Sequence, residues 1–198
     1  MRTPNELQAC IRVALRQQPA DLLIQGGRIF DLITGELRLA DIAICHNRIA
    51  GIGFGFEGKR ILNAKGLTLV PGFIDAHCHV ESSMLTPNQW EKALLPHGTT
   101  AAVCDPHELA NVAGIPAIEA FREIAKKLHL HLEVHIPSCV PALPTESAGA
   151  VLDATALAPY GGTASLSEYM NIPGVLNSFP DTLAKLSAFS DRPIDGHA

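Results

Sequence analysis

The sequence predicts an α/β fold in which a small β unit precedes βα units around a parallel sheet. Three observations support this fold class. Apolar residues recur at helical spacing over residues 4–17, short β-like pieces separated by turn residues follow from Asp21 to Val70, and strand-like runs alternate with helix-like runs after Pro71. Such alternation is typical of βα units. We therefore predict two regions, residues 1–70 and residues 71–198.

The first region is predicted to contain one helix followed by a small β-sandwich-like domain. Thr3 suits the N-cap of the helix and Pro4 suits its first turn. Gly, Asn and Asp separate the β-like pieces that follow, which indicates mostly antiparallel hairpins.

The second region is predicted to contain five strands, near 73–79, 99–104, 130–136, 163–168 and 193–197. Helices are predicted at 86–96, 115–128, 151–158 and 178–189. The rest of residues 137–162 is rich in Pro, Ala and Gly and is predicted to form a long loop, which in α/β enzymes often encloses a site. Five strands suit a complete small α/β domain as well as part of an eight-stranded barrel.

Composition narrows the class of function. Hydrophobic residues make up 47% of the 198, charged residues 18%, and the formal net charge is -5. These values describe a chain with a real core, and they favour small-molecule chemistry over nucleic acid or an anionic membrane. No apolar run reaches the roughly 20 residues of a membrane span, and the first residues do not resemble a signal peptide. We therefore expect a cytoplasmic protein, in which the five cysteines form no disulfides.

A histidine pair is the most informative feature. In the run PGFIDAHCHVESSM, His77 and His79 lie two residues apart at the end of a predicted strand. Side chains alternate along a strand, so both imidazoles share one face and Cys78 takes the other. Two imidazoles projecting together at a strand end are natural metal ligands.

Several motifs in order resemble one family. They are PGFIDAHCHVESSMLTP, LPHGTTAAVCDPHELANVAG, PSCVPALPTESAGA, LSEYMNIPGV and DGHA. The first resembles strand one of the metal-dependent amidohydrolase superfamily, and together they resemble the adenine deaminases. The resemblance implies a (β/α)8 TIM-type barrel with an added β domain, of which this chain would hold about the first five strands, an incomplete barrel.

The resemblance also implies a metal site. His77 and His79 match the strand-one ligands, Glu168 matches the metal-bridging carboxylate of strand four, and His197 matches the histidine of strand five. The strand positions predicted above independently place Glu168 and His197 at the ends of strands four and five. The expected cofactor is a pair of Mn²⁺ or Fe²⁺ ions, with Zn²⁺ also suited to these ligands.

Five further residues are weaker candidates. Asp105 and Glu81 are candidates for a catalytic role, and Ser83, His107 and Glu108 for contacts with the substrate. Asp105 followed by proline is equally a helix-start signal. Three histidines on or beside strand three are interpreted as structural: His129, His131 and His135.

The implied reaction is the hydrolytic deamination of adenine to hypoxanthine and ammonia. The resemblance places the proton-transferring aspartate on strand eight, so the missing barrel half would have to come from a longer chain or a second chain. We therefore expect these 198 residues to be inactive alone. The resemblance also implies a homodimer.

Three alternatives remain open. One is another cyclic amidohydrolase, such as a dihydroorotase or hydantoinase, although these usually carry an arginine after H-x-H and a lysine on strand four, where this sequence has Glu81 and Glu168. The second is a non-catalytic remnant. The third is an α/β binding module whose five-stranded sheet closes its own core.

Overall fold

A computed structural model describes residues 3–197 of the chain. The chain divides between Pro71 and Gly72 into two compact units. Within the described residues, no helix is both long enough and apolar enough to cross a bilayer. Each unit is described by itself below.

The first unit opens with helix α1, Pro4–Ala14. Thr3 is its N-cap, as predicted: the N–H of Glu6 donates to Thr3 Oγ1 at 3.3 Å and the N–H of Thr3 donates to Glu6 Oε2 at 2.8 Å. This reciprocal capping box satisfies two of the N–H groups that a helix start leaves without partners.

One five-stranded sheet forms the rest of this unit. Its strands are β1 (Leu22–Phe30), β2 (Leu37–Cys45), β3 (Arg48–Gly53), β4 (Ile61–Asn63) and β5 (Thr68–Leu69). β1, β2 and β3 are antiparallel neighbours, whereas β4 and β5 both run parallel to β1. His46 and Asn47 link β2 to β3 with positive φ angles, the geometry of a tight hairpin turn.

The sandwich-like arrangement predicted for this region differs from the structure. A helix, rather than a second sheet, covers one face of the sheet: Val13 of α1 is buried in a cluster with Leu23, Ala43 and Phe56. The amphipathic N-terminal helix therefore supplies the apolar layer that a sandwich would take from more strands.

The second unit alternates strands and helices. The strands are β6 (Phe73–Cys78), β7 (Thr99–Cys104), β8 (His131–Val134), β9 (Leu166–Tyr169) and β10 (Ile194–Gly196). The helices are α2 (Pro87–Leu94), α3 (His107–Ala113), α4 (Ile115–Ala125), α5 (Ala154–Leu157), α6 (Ile172–Leu176) and α7 (Pro180–Ala188). Single 3₁₀ turns lie at Glu81–Ser83, Leu95–His97 and Ala158–Tyr160.

These strands lie side by side in chain order and all run parallel. β6, β7 and β8 form one sheet and β9 and β10 another, and a parallel bridge between Ile136 and Leu166 joins the two. The bridge is made by hydrogen bonds from Ile136 N to Ser165 O at 2.9 Å and from Ser167 N to Ile136 O at 2.8 Å. The predicted parallel arrangement of βα units is thus present.

Helices cover one face of these strands. Leu132, Val134 and Ile136 are buried among helix side chains, whereas His131 and Glu133, which alternate with them, are exposed. Phe73 and Ile74 of β6 are also exposed, by 59% and 70%. Large apolar side chains on an end strand indicate a surface suited to further packing.

Glu91 of α2 joins the helical layer to the start of β8. The N–H groups of Leu130 and His129 both donate to its Oε2, the first at 2.8 Å. These backbone hydrogen bonds, led by that of Leu130, hold the pKa of the buried Glu91 carboxyl below its usual range even though burial opposes the shift.

Glu91→Gln is expected to lower the free energy of unfolding at pH 7 by about 1.5–3 kcal/mol, the range for hydrogen bonds to a charged group. Because the folded-state pKa is lowered, this stabilisation is present above the ordinary glutamate pKa of about 4.3 and is lost as pH falls through the lowered value. Urea unfolding at pH 7, 5 and 3.5 measures the loss, with the exposed Glu146 changed to Gln as the control. An equal difference between wild type and Glu91→Gln at every pH would contradict this account.

Candidate metal centre

Strand β6 delivers the histidine pair to the carboxyl end of the parallel strands. Cys78 packs partly buried against the helix-side cluster that contains Val80 and Trp90, so His77 and His79 project from the opposite face, as alternation predicts. Their Nε2 atoms lie 3.1 Å apart. The two imidazoles thus converge through the same ring nitrogen.

Both rings are held through their other nitrogen. His77 Nδ1 lies 2.6 Å from Asp195 Oδ2, and His79 Nδ1 lies 2.9 Å from the backbone oxygen of Asp105. Both oxygens only accept, which favours the neutral tautomer with the proton on Nδ1 and a lone pair on Nε2 in each ring. Two lone pairs facing each other at 3.1 Å are mutually repulsive, and a cation beside them removes that repulsion.

Glu168, at the end of β9, lies at the centre of the histidines. It is 5% exposed, and each of its carboxylate oxygens faces two imidazoles. Oε1 lies 3.3 Å from His107 Nδ1 and 3.7 Å from His79 Nε2. Oε2 lies 2.6 Å from His197 Nδ1 and 3.9 Å from His77 Nε2. A buried carboxylate so placed offers one oxygen to each pair of rings.

Residues after β7 complete this group. Asp105 is 1% exposed; its Oδ2 accepts a hydrogen bond from His107 Nδ1 at 2.9 Å, and its Oδ1 is buried without a partner. That hydrogen bond, helped by the charge of Glu168, raises the pKa of His107 above its usual range although burial opposes it. One ligand atom from each of His79, Asp105, His107 and Glu168 lies within 4.8 Å of the others.

The other predicted residues lie outside this group. Glu81 Oε1 accepts hydrogen bonds from the backbone N–H groups of Glu108 and Leu109 at 3.2 and 3.4 Å, so it caps α3, and burial raises its pKa. The Ser83 hydroxyl donates to Val80 O within a local turn. The Glu108 carboxylate is exposed and accepts from the Ser82 hydroxyl at 2.6 Å.

Two residues that sequence reasoning did not assign to the site also lie here. Asp195 contacts His77. Its spacing of two residues from His197 indicates that both side chains share one face of the strand, and this spacing could have identified Asp195 from the sequence. His135 follows β8, its Nδ1 is buried without a partner, and burial lowers its pKa. The N–H of His135 donates to Cys104 O at 2.9 Å, which places His135 next to the end of β7, directly before Asp105.

The chemistry of this donor set fits a divalent transition metal. Neutral imidazole nitrogens and carboxylate oxygens are the usual ligands of such ions. Asp105 Oδ1 is buried without a hydrogen-bond partner, and the Nε2 atoms of His77 and His79 face each other. A bound cation would give each of these atoms a positively charged partner.

A second group of potential ligands, in the first unit, suits a metal less well. Asp21 uses one carboxylate oxygen for Lys59 Nζ at 2.7 Å and the other for the backbone N–H of His46 at 3.0 Å. Burial raises the pKa of the neighbouring Cys45 to about 11, so the thiol stays protonated.

The imidazole–carboxylate group lies at the carboxyl ends of parallel βα units, where the sites of α/β enzymes lie. The amidohydrolase family matches residues 68–198, and the chain belongs to this family. At the level of individual relatives, the chain is 50% identical over 183 residues to an adenine deaminase of Cereibacter sphaeroides (strain ATCC 17025). The aligned region covers 91% of this chain and 32% of that protein. An adenine deaminase of Gluconobacter oxydans (strain 621H) is 48% identical over 192 residues, 94% of this chain and 34% of the relative.

These relatives confirm the resemblance to adenine deaminases. The chain spans about a third of the length of the curated relatives that it matches. Among solved structures, an N-acyl-D-glutamate deacylase of Bordetella bronchiseptica, complexed with zinc and a phosphonate inhibitor, is similar with a TM-score of 0.63 and 19% identity, over 91% of this chain and 45% of that one. At this identity the similarity shows the fold alone.

Proposed function

We propose that the chain is the N-terminal part of a metal-dependent adenine deaminase, which hydrolyses adenine to hypoxanthine and ammonia. The observation that carries the proposal is the 50% identity to an adenine deaminase over 91% of the chain. The convergence of the imidazoles on Glu168 supports it, because hydrolysis of an aromatic amine needs an activated water. Glu168 in place of a strand-four lysine also favours a deaminase over a hydantoinase or dihydroorotase.

The proposed fold is the first five strands of a (β/α)8 barrel. Five parallel strands in chain order, with helices on one face and an exposed Phe73 and Ile74 on β6, support it. In this proposal the remaining strands cover those apolar side chains. They also supply the aspartate that transfers protons, from a longer chain or from a second one.

We propose His77, His79, Glu168 and His197 as ligands of a pair of divalent ions, Mn²⁺ or Fe²⁺. The two carboxylate oxygens of Glu168, each facing a different pair of imidazoles, support a bridging role. When bound, such ions would lower the pKa of water to about 7 and so provide hydroxide at neutral pH.

The residues of this chain then have separable tasks. Glu168 and the imidazoles would hold the ions beside C6 of adenine. Water adds across C6 and N1, the exocyclic C6–N6 bond then breaks, and the remaining water proton passes to N6, which leaves as ammonia. Asp105 holds His107 through Oδ2 and keeps Oδ1 free to accept a hydrogen bond. That oxygen is buried, so it is suited to an ordered water or to the cation rather than to the substrate.

A chimaera tests the proposed function. We expect ammonia release from adenine when these 198 residues replace the matching N-terminal segment of the Cereibacter sphaeroides adenine deaminase and the protein is loaded with Mn²⁺. His77→Ala in the chimaera should reduce the rate at least about 10³-fold, since metal-derived charge stabilisation amounts to several kcal/mol. We expect the 198 residues alone to release no ammonia.

Two results decide against the proposal. A folded, Mn²⁺-loaded chimaera that leaves adenine intact would exclude this substrate. A chimaera equally active with His77→Ala would exclude the assigned metal site. Activity of the 198 residues alone, abolished by His77→Ala, would show that self-association completes the site.

A further inference from the structure

The fifth strand presents two side chains to the metal centre. Asp195 lies in β10 and His197 follows directly after it, so the D-x-H spacing places both on one side, just as H-x-H does on β6. The two side chains reach different residues. His197 Nδ1 lies 2.6 Å from Glu168 Oε2, whereas Asp195 Oδ2 lies 2.6 Å from His77 Nδ1.

We propose that Asp195 is a positioning residue for His77: its carboxylate accepts a hydrogen bond from Nδ1–H, which keeps the proton on Nδ1 and leaves Nε2 as the metal-binding atom. The inference rests on the proposed metal centre, of which His77 is a ligand. The separation of 2.6 Å is slightly shorter than the about 2.7–2.9 Å typical of charge-assisted N–H···O hydrogen bonds, which are stronger than neutral ones. Metal-bound histidines commonly donate their second N–H to a carboxylate, which orients the ring and increases its basicity.

His77 needs such support more than its neighbour does. Its side chain is 34% exposed, so water competes for both ring nitrogens and the ring can turn away from Glu168. His79 is less exposed, at 24%, and its Nδ1 is held by the backbone oxygen of Asp105. The same ring nitrogen is thus fixed in both histidines, by a side chain in one and by the main chain in the other.

This difference provides a test within one molecule. Substitution can remove the acceptor of His77 but not that of His79, because a backbone oxygen stays in place. A change confined to His77 therefore reports the loss of Asp195, and a change in both histidines reports a damaged site.

The tautomers are measured first, without metal, by long-range ¹H–¹⁵N NMR of the ¹⁵N-histidine-labelled 198-residue chain. In the wild type we expect protonated Nδ1 in both His77 and His79. Asp195→Ala should give His77 a large Nε2–H population and leave His79 unchanged. Asp195→Asn, which keeps an acceptor but loses the charge, should give an intermediate population. Asp191→Asn is the matched control, because it removes the same charge from an exposed position four residues away.

Metal affinity is the second measurement, by calorimetric titration with Mn²⁺. We expect the dissociation constant to rise about 10–100-fold in Asp195→Ala, the usual effect of losing the group that orients a metal ligand, and to stay at the wild-type value in Asp191→Asn. An unchanged His77 tautomer in Asp195→Ala overturns the proposal, as does an unchanged affinity. If the wild type shows the Nδ1–H tautomer but binds no Mn²⁺, the proposed metal centre is wrong. The hydrogen bond by which Asp195 orients His77 is then still supported.

Discussion

Glu168→Gln is expected to abolish tight binding of divalent metal. Glutamine keeps the shape of the side chain but replaces a buried anion with a neutral amide, one end of which can only donate towards the imidazoles. Breaking a buried charge interaction costs about 3–5 kcal/mol, which corresponds to a rise of about 10²- to 10⁴-fold in dissociation constant.

Calorimetric titration with Mn²⁺ measures this effect. The control is Glu36→Gln, which removes an equal charge from an exposed position in the first unit. Wild-type affinity in Glu168→Gln, with Glu36→Gln also unchanged, would show that the metal is bound without the carboxylate at the end of β9.

Phe189→Ala is expected to cause the largest loss of stability in the second unit. Phe189 follows α7, is fully buried, and lies in the cluster that contains Ile118, Leu157 and Leu166. Truncation leaves a cavity among side chains that come from several elements and cannot all close in. Buried Phe→Ala changes cost about 3–5 kcal/mol of unfolding free energy.

Urea unfolding followed by circular dichroism checks this value. Phe179→Ala is the matched control, because Phe179 precedes the same helix but is 42% exposed; a change of within about 0.5 kcal/mol is typical of surface positions. Equal losses in the two variants would mean that the cluster around Phe189 does not stabilise the unit.

Much of the fold could be predicted because strand periodicity and turn residues are local signals. β7 was predicted at its observed bounds, and β8 within one or two residues at each end. β9 begins at Leu166, three residues later than predicted, because Thr163 and Ala164 still donate to Tyr160 O in a turn. Short helices were harder to predict from the sequence. Helix α6 has only five residues, and it begins at a cap in which Asn171 Oδ1 accepts a hydrogen bond from Gly174 N. Asn, Pro and Gly close together are also typical of loops.

The candidate site was predictable only in part, for a physical reason. H-x-H is a local pattern, since alternation alone places His77 and His79 together. The contact between His77 and Asp195 joins residues that are 118 positions apart in the sequence. The contact between His107 and Glu168 depends on the register of the strands that precede them. No local periodicity encodes such distances. Glu81 shows that proximity in sequence does not define a role either, because this carboxylate next to the histidine pair accepts backbone hydrogen bonds at the start of α3.

The imidazole-rich surroundings of Glu168 bear on which ion a purified sample contains. Sites of nitrogen and oxygen donors bind copper, nickel and zinc more tightly than manganese or iron, following the Irving–Williams order. A polyhistidine tag and a nickel resin would therefore expose these rings to an ion that they prefer over the physiological candidates. Chelation and reloading under anaerobic conditions should precede any assay, because the metal found after purification reports the history of the sample as much as the selectivity of the protein.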